Sequence, residues 1–124
     1  MARILFVDDE IDTLTTLKKG VEIFGHEAMV ATDGLDAVRL AADRQPDLIF
    51  LDMRLAGVDG LEIVRLLRQE AATASIPVVM LSAGPELDAA DLAYHAGVQE
   101  YLLKPVRLQT LLDVIAAYQP GAET

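Results

Sequence analysis

No cysteine occurs in the 124 residues, which excludes a disulfide framework, a thiolate zinc site and a cysteine nucleophile, and fits a reducing compartment. Basic residues are scarce: ten Lys and Arg stand against twenty Asp and Glu, a formal charge of -10. Phosphate contacts need clustered Lys and Arg, so direct binding to nucleic acid or to an anionic membrane is disfavoured. Cations and basic partner surfaces suit such a chain better, and most of its acids read as a solvated surface. No apolar run approaches the roughly 20 residues that cross a bilayer. The N-terminal stretch from Met1 to Val7 meets Asp8 too soon for a signal peptide. A cytoplasmic location is therefore the default expectation. Neither Gly-x-Gly-x-x-Gly nor Gly-x-x-x-x-Gly-Lys-Ser/Thr occurs, which argues against a nucleotide-binding protein. Repeats and low-complexity tracts are absent too.

What is present is a regular alternation that fits one domain at this length. Ile4 to Val7 is an apolar run ending in Asp8-Asp9-Glu10, and Ile11, Leu14, Leu17, Val21 and Phe24 follow at helical steps until Gly25. Ala28 to Ala31 reads as a weaker second strand, and Thr32-Asp33-Gly34 turns into a helix with Leu35, Val38 and Ala41 inward. Gln45-Pro46-Asp47 breaks that helix and launches Leu48-Ile49-Phe50-Leu51-Asp52, four apolar residues running straight into a carboxylate. Such a run reads as a strand buried on both faces, with its last residue delivered to the rim of the sheet. Leu61, Val64 and Leu67 mark a third helix closing around residues 70–75, and Pro77 introduces Val78 to Leu81, which ends in Ser82-Ala83-Gly84-Pro85. The alanine-rich segment Glu86 to Ala96 offers only Leu87, Leu92 and Tyr94 as larger apolar groups, so this fourth helix is expected to be the least firmly anchored. Glu100 to Leu103 is the last strand, ending at Lys104-Pro105, and Leu108, Leu111, Leu112 and Ile115 give the fifth helix its inward face. Residues 119–124 read as a tail or the start of a linker.

Five strands alternating with five helices predict an α/β fold, a single doubly wound parallel sheet covered on both sides, with its chemistry at the carboxyl ends of the strands. Strand order decides whether the useful groups meet. With 2-1-3-4-5, Asp8, Asp9 and Asp52 converge and Ser82 and Lys104 flank them; with 3-2-1-4-5, Asp52 goes to the far edge. The first order makes one site from five groups. Taken singly, each has a plainer reading: Asp as a helix cap or loop acid, Ser82 as a turn residue, Lys104 as a solvated charge. Three acids at strand ends with a matching lysine shift the odds to a site. Asp33, Asp36 and Asp59 are read as turn and capping residues, and His26 and His95 as groups without a partner motif. Carboxylates this close repel one another unless a cation sits among them, and an oxygen-only donor set favours a hard ion such as Mg²⁺. Three carboxylates are balanced by Mg²⁺ and Lys104 together. Asp52 is then a candidate nucleophile toward phosphorus, with Ser82 and Lys104 meeting the phosphoryl oxygens.

These residues, Asp8-Asp9, Leu51-Asp52-Met53-Arg54 with Asp59-Gly60, Ser82-Ala83 and Lys104-Pro105, resemble the motifs of CheY-like receiver domains from two-component response regulators. The resemblance covers residues 3 to 118 and implies a flavodoxin-like (βα)5 fold of order 2-1-3-4-5, with a receiver domain over 1–118. It implies that Asp52 is the phosphoacceptor, served by a histidine kinase or histidine phosphotransfer protein. Asp8, Asp9, Asp52 and the Arg54 backbone carbonyl would hold Mg²⁺. Ser82 matches the switch hydroxyl, Lys104 the phosphate-binding lysine and Tyr101 the switch aromatic. The bond before Pro105 matches one usually cis in the family, against about 5–6% of X-Pro bonds generally. Signalling is expected through the fourth helix, fifth strand and fifth helix, toward a homodimer or a downstream effector. Such a domain catalyses its own phosphorylation and dephosphorylation and is not a turnover enzyme. Ala56 stands where the family often has proline and Val106 where it often has an aromatic, while Arg54 and Gly84 occupy positions that tune autodephosphorylation.

The alternative class is a small Mg²⁺-dependent phosphohydrolase with a phospho-aspartyl intermediate. Arg54 stands where its acid/base aspartate would be, and no cap segment encloses a substrate. A phosphorylation-independent binding module of the same fold is a third reading, from which Asp52 or the paired acids would be missing.

Overall fold

The computed structural model describes residues 1–55, 57–83 and 89–120. Ala56, Gly84, Pro85, the Glu86 to Asp88 start expected for the fourth helix, and residues 121–124 lie outside the described residues. Along the chain, β1 (Arg3–Val7), α1 (Ile11–Ile23), β2 (Glu27–Ala31), α2 (Gly34–Arg44), β3 (Leu48–Asp52), α3 (Gly60–Gln69), β4 (Val78–Ser82), α4 (Ala89–Ala96), β5 (Glu100–Leu103) and α5 (Leu108–Tyr118) alternate strand with helix. The five sheet strands lie in the order β2-β1-β3-β4-β5 and all pair in parallel. That order makes β1 and β3 neighbours, so Asp8 and Asp52 leave the sheet side by side.

Side chains alternate between the two faces of the sheet. Leu5, Val7, Ile49, Leu51, Val78 and Met80 pack with Ala37 and Ala41 of α2, Leu61, Val64 and Leu67 of α3, and Ala93 of α4. Ile4, Phe6, Leu48, Phe50, Val79 and Leu81 pack with Leu14 and Val21 of α1 and Leu111 and Ile115 of α5. Every residue of β3 and β4 is buried, as helices on both faces require. Phe6 and Phe50 are register partners on adjacent strands, and their rings stack 5.3 Å apart at 11°. This stack braces β1 against β3 just below the rim.

Three helix assignments by periodicity need correction, chiefly at their ends. Ile11 and Phe24 are exposed, because Ile11 opens α1 beyond the sheet edge and Phe24 lies past its last residue. Leu35, in the first turn of α2, is exposed while Ala37 and Ala41 carry that contact. In α5 Leu108 is exposed and Leu112 half-buried, and Val114 joins Leu111 and Ile115 in the core. In α4, for which the spacing gave no inward face, Leu92 and Tyr94 are exposed in the body of the helix. Helix ends overhang the sheet, so apolar spacing there finds no core to meet.

Between β3 and α3, Arg54–Leu55 pairs antiparallel with Val58–Asp59, a short ribbon that the sequence pattern does not announce. The Asp59 carboxylate accepts from the Leu61 N–H at 2.9 Å and caps α3. Gly60 donates its N–H to the Met53 carbonyl at 2.6 Å. A Cβ on Gly60 would meet the Asp52 carbonyl oxygen at 2.8 Å and the Met53 Cα at 2.9 Å, both backbone atoms. Glycine therefore lets α3 start directly against the end of β3. Gly60→Ala is expected to cost about 1–3 kcal/mol through this overlap, read as a lower urea midpoint at unchanged slope; an unchanged midpoint would refute the close approach.

Candidate functional site

Three strands deliver side chains to one place. Asp8 follows β1, Asp52 ends β3, and Lys104 follows β5, its N–H donating to the Ser82 carbonyl at 2.7 Å. The Lys104 ammonium lies between the two acids, 3.0 Å from Asp52 Oδ2 and 3.3 Å from Asp8 Oδ2. Asp8 and Asp52 are buried, and Lys104 is half-buried. The remaining carboxylate oxygens are also used: Asp8 Oδ1 accepts from the Glu10 N–H at 3.0 Å, and Asp52 Oδ1 from the Arg54 N–H at 3.3 Å. Screening by water is weak here, so the lysine offsets repulsion between the two acids.

Burial of Lys104 works to lower its pKa, but the hydrogen bond and charge of Asp52, with those of Asp8, outweigh it and raise the value above the usual 10.5. A raised lysine pKa means that its stabilising contribution is whole below about 10.5 and is lost as pH rises through the folded-state value.

Three consecutive acids gather at the end of β1. One oxygen each from Asp8, Asp9 and Glu10 lie within 4.8 Å of one another, with Asp8 buried and the other two exposed. Asp52 meets this group through Lys104. All three donors are carboxylates and two are open to water, a donor set that fits Mg²⁺, which keeps several of its waters. Sequence reasoning placed Glu10 on this acidic rim, and the structure sets its carboxylate beside those of Asp8 and Asp9. The first turn of α1 lies beside them, and its N-terminal dipole favours negative charge there.

Ser82 is buried at the end of β4. Tyr101 is half-buried, and its hydroxyl contacts Met53 Sδ, next to Asp52, at 4.0 Å. The Lys104–Pro105 peptide is cis. Asp33 and Asp59 act as helix caps, Asp36 pairs with Arg39, and exposed His95 contacts the Asp91 carbonyl at 2.8 Å. Val106 lines a groove of about 490 Å³ with Asp8, Thr13, Leu17, Lys104 and Leu111.

A family model for the response regulator receiver domain matches residues 4–116. The transcriptional regulatory protein PrrA of Mycobacterium tuberculosis is 37% identical over 115 residues, 93% of this chain and 48% of PrrA. Protein PilH of Pseudomonas aeruginosa is 35% identical over 121 residues, 98% of this chain and 100% of PilH. Against relatives such as PrrA, then, the chain spans about half the length. Among solved structures, the receiver domain of the sensor histidine kinase PA1611 of P. aeruginosa, with magnesium coordinated in its active-site cleft, superposes with a TM-score of 0.84 at 26% identity, covering 94% of this chain and 96% of that one.

In a pH titration followed by side-chain NMR, the Lys104 Cε resonance is expected to titrate above the usual lysine value. In Asp52→Asn it should fall, because burial then meets less opposition. A Lys104 value indifferent to Asp52→Asn would contradict the ion-pair geometry.

Proposed function

The chain belongs to the response regulator receiver family, and we propose that it acts as a phosphorylation-driven switch in which Asp52 accepts a phosphoryl group from a phosphohistidine donor. The observation that carries this reading is the Lys104 ammonium between Asp8 and Asp52. A carboxylate at the mouth of the site can attack phosphorus from one side while the donor imidazole leaves from the other; one O–P bond forms as one N–P bond breaks. Charge on the transferring oxygens then falls beside Lys104, already positioned, with the Ser82 hydroxyl as a further donor. Asp8 and Asp9, with Glu10 adjoining, would hold Mg²⁺, joined by Asp52 and the Arg54 carbonyl once the site is engaged. Bound there, the ion would neutralise phosphoryl charge. The neighbouring PA1611 domain, with magnesium in its cleft, supports this choice.

Acyl phosphate formation would make the site more negative by about one charge and add acceptor oxygens. Ser82 would turn toward them, and Tyr101 would move into the released space from its place beside Met53. The consequence would travel to α4, β5 and α5, the surface offered to a second copy or a downstream effector. Residues 119–124 would form a tail or the start of a linker, and a histidine kinase or phosphotransfer protein in the cytoplasm would be the donor.

Incubation with Mg²⁺ and a small acyl-phosphate donor is expected to label the protein once per chain, with no label in Asp52→Asn. Lys104→Met should slow labelling by about 10²–10³-fold, the scale of losing one preorganised donor. Many turnovers per chain would instead favour a phosphohydrolase. With Mg²⁺ and fluoroberyllate, amide chemical shifts should change around Ser82 and through Tyr101; silence there would sink the proposed route to α4 and β5.

A further inference from the structure

One cation far from the acid cluster is engaged as fully as Lys104. Arg68, in the last turn of α3, sends Nε and Nη2 to the Gly97 carbonyl oxygen at 3.1 and 2.8 Å. Its Nη1 donates to the Ile76 carbonyl at 2.9 Å and to the Thr73 carbonyl at 3.3 Å, and Nη2 also reaches Gln99 Oε1 at 3.3 Å. All of these acceptors are neutral oxygens, drawn from the turn after α3, the approach to β4 and the segment after α4. A rigid five-donor fork can gather acceptors from separate segments, which a lysine ammonium on a flexible stem does less well. The same Gln99 oxygen accepts the Val78 N–H at 2.7 Å, and the Gln99 N–H donates to the Val78 carbonyl at 2.8 Å.

Gly97 is shaped to this contact. Its φ of +106° suits glycine, and a Cβ there would lie 3.1 Å from Arg68 Nε. The Gly97 N–H returns to the Ala93 and Tyr94 carbonyls, the Val98 N–H to Ala93, and Val98 is buried. Arg68 thus also places positive charge at the negative end of the α4 dipole. The body of α4 is held differently. Among its described side chains Ala93 is the buried one, while Leu92 and Tyr94 are 52% and 49% exposed.

We infer that Arg68 fixes the carboxyl end of α4 as a pivot at Gly97, so that a change at Asp52 and Ser82 swings the helix about that end instead of sliding it along the sheet. Arg68 is a positioning residue for the output surface, and the phosphoryl chemistry proceeds without it. The direction of the swing rests on the switch reading proposed above; the fixed end rests on the hydrogen bonds alone.

The test has two arms on the same chain. In the absence of activator, hydrogen exchange is measured for parent, Arg68→Met, which keeps the aliphatic stem, and Arg68→Lys, which keeps the charge. Protection at Gly97, Val98 and Gln99 is expected to fall by about tenfold or more in Arg68→Met and less in Arg68→Lys, with β1 and β3 amides unchanged. Equal protection in parent and Arg68→Met would overturn the pivot; should Arg68→Met fail to fold, Arg68→Lys carries the comparison alone. In the second arm, Mg²⁺ and fluoroberyllate should shift amides from Asp91 to Tyr94 in the parent while Gly97 to Gln99 stay near their resting positions. In Arg68→Met the shifts should spread through Gly97 to Gln99 while acyl-phosphate labelling keeps the parent rate. Large parent shifts at Gly97 to Gln99 would also overturn the pivot. Absence of any response would instead defeat the switch reading and leave the exchange arm to decide the fixed end.

Discussion

Two carboxylates delivered side by side at the end of a buried sheet repel, and the arrangement is tenable because one ammonium lies between them. Lys104, within 3.3 Å of both Asp8 and Asp52, ties the carboxyl ends of β1, β3 and β5 into a single electrostatic unit. It acts beside buried acids, where water screens the attraction less than at the surface. On the proposed reading, the same ammonium that relieves the resting site would also meet incoming phosphoryl charge. Its raised proton affinity expresses the pairing with Asp52 and Asp8.

Everything beneath the rim serves to hold those three strands in register. The stacked Phe6 and Phe50 lock neighbouring strands, the all-buried β3 fixes the height of Asp52, and Gly60 lets α3 begin against the backbone that follows it. The loosely packed body of α4 lies on one flank. In the proposed switch, a fold rigid at the acids and yielding beside them would separate the chemistry from its readout.

Much of this was legible in the residues. The apolar run from Leu48 to Leu51, closed by Asp52, announced a strand buried on both faces, and the alternation of five such runs with helical spacings announced the parallel sheet. Strand order did not follow from periodicity; it followed from asking which order brings the acids and the lysine together. Helix ends were misread at Ile11, Phe24, Leu35 and Leu108, since spacing records amphipathicity without recording where the sheet stops. The ribbon pairing Arg54–Leu55 with Val58–Asp59 is too short to leave a period, and the closeness of Glu10 to Asp8 and Asp9 is a property of the loop that spacing does not record. Arg68 was invisible for a further reason. Its partners, apart from the Gln99 side chain, are backbone carbonyls, which carry no sequence signal.

The most direct measurement is the location of the phosphoryl group. After reaction with Mg²⁺ and an acyl-phosphate donor, borohydride reduction converts a phosphorylated aspartate to homoserine, and peptide mass spectrometry locates it. The account predicts homoserine at position 52 alone. Homoserine at position 8 or 9, or none in a protein that retains its fold, would contradict it.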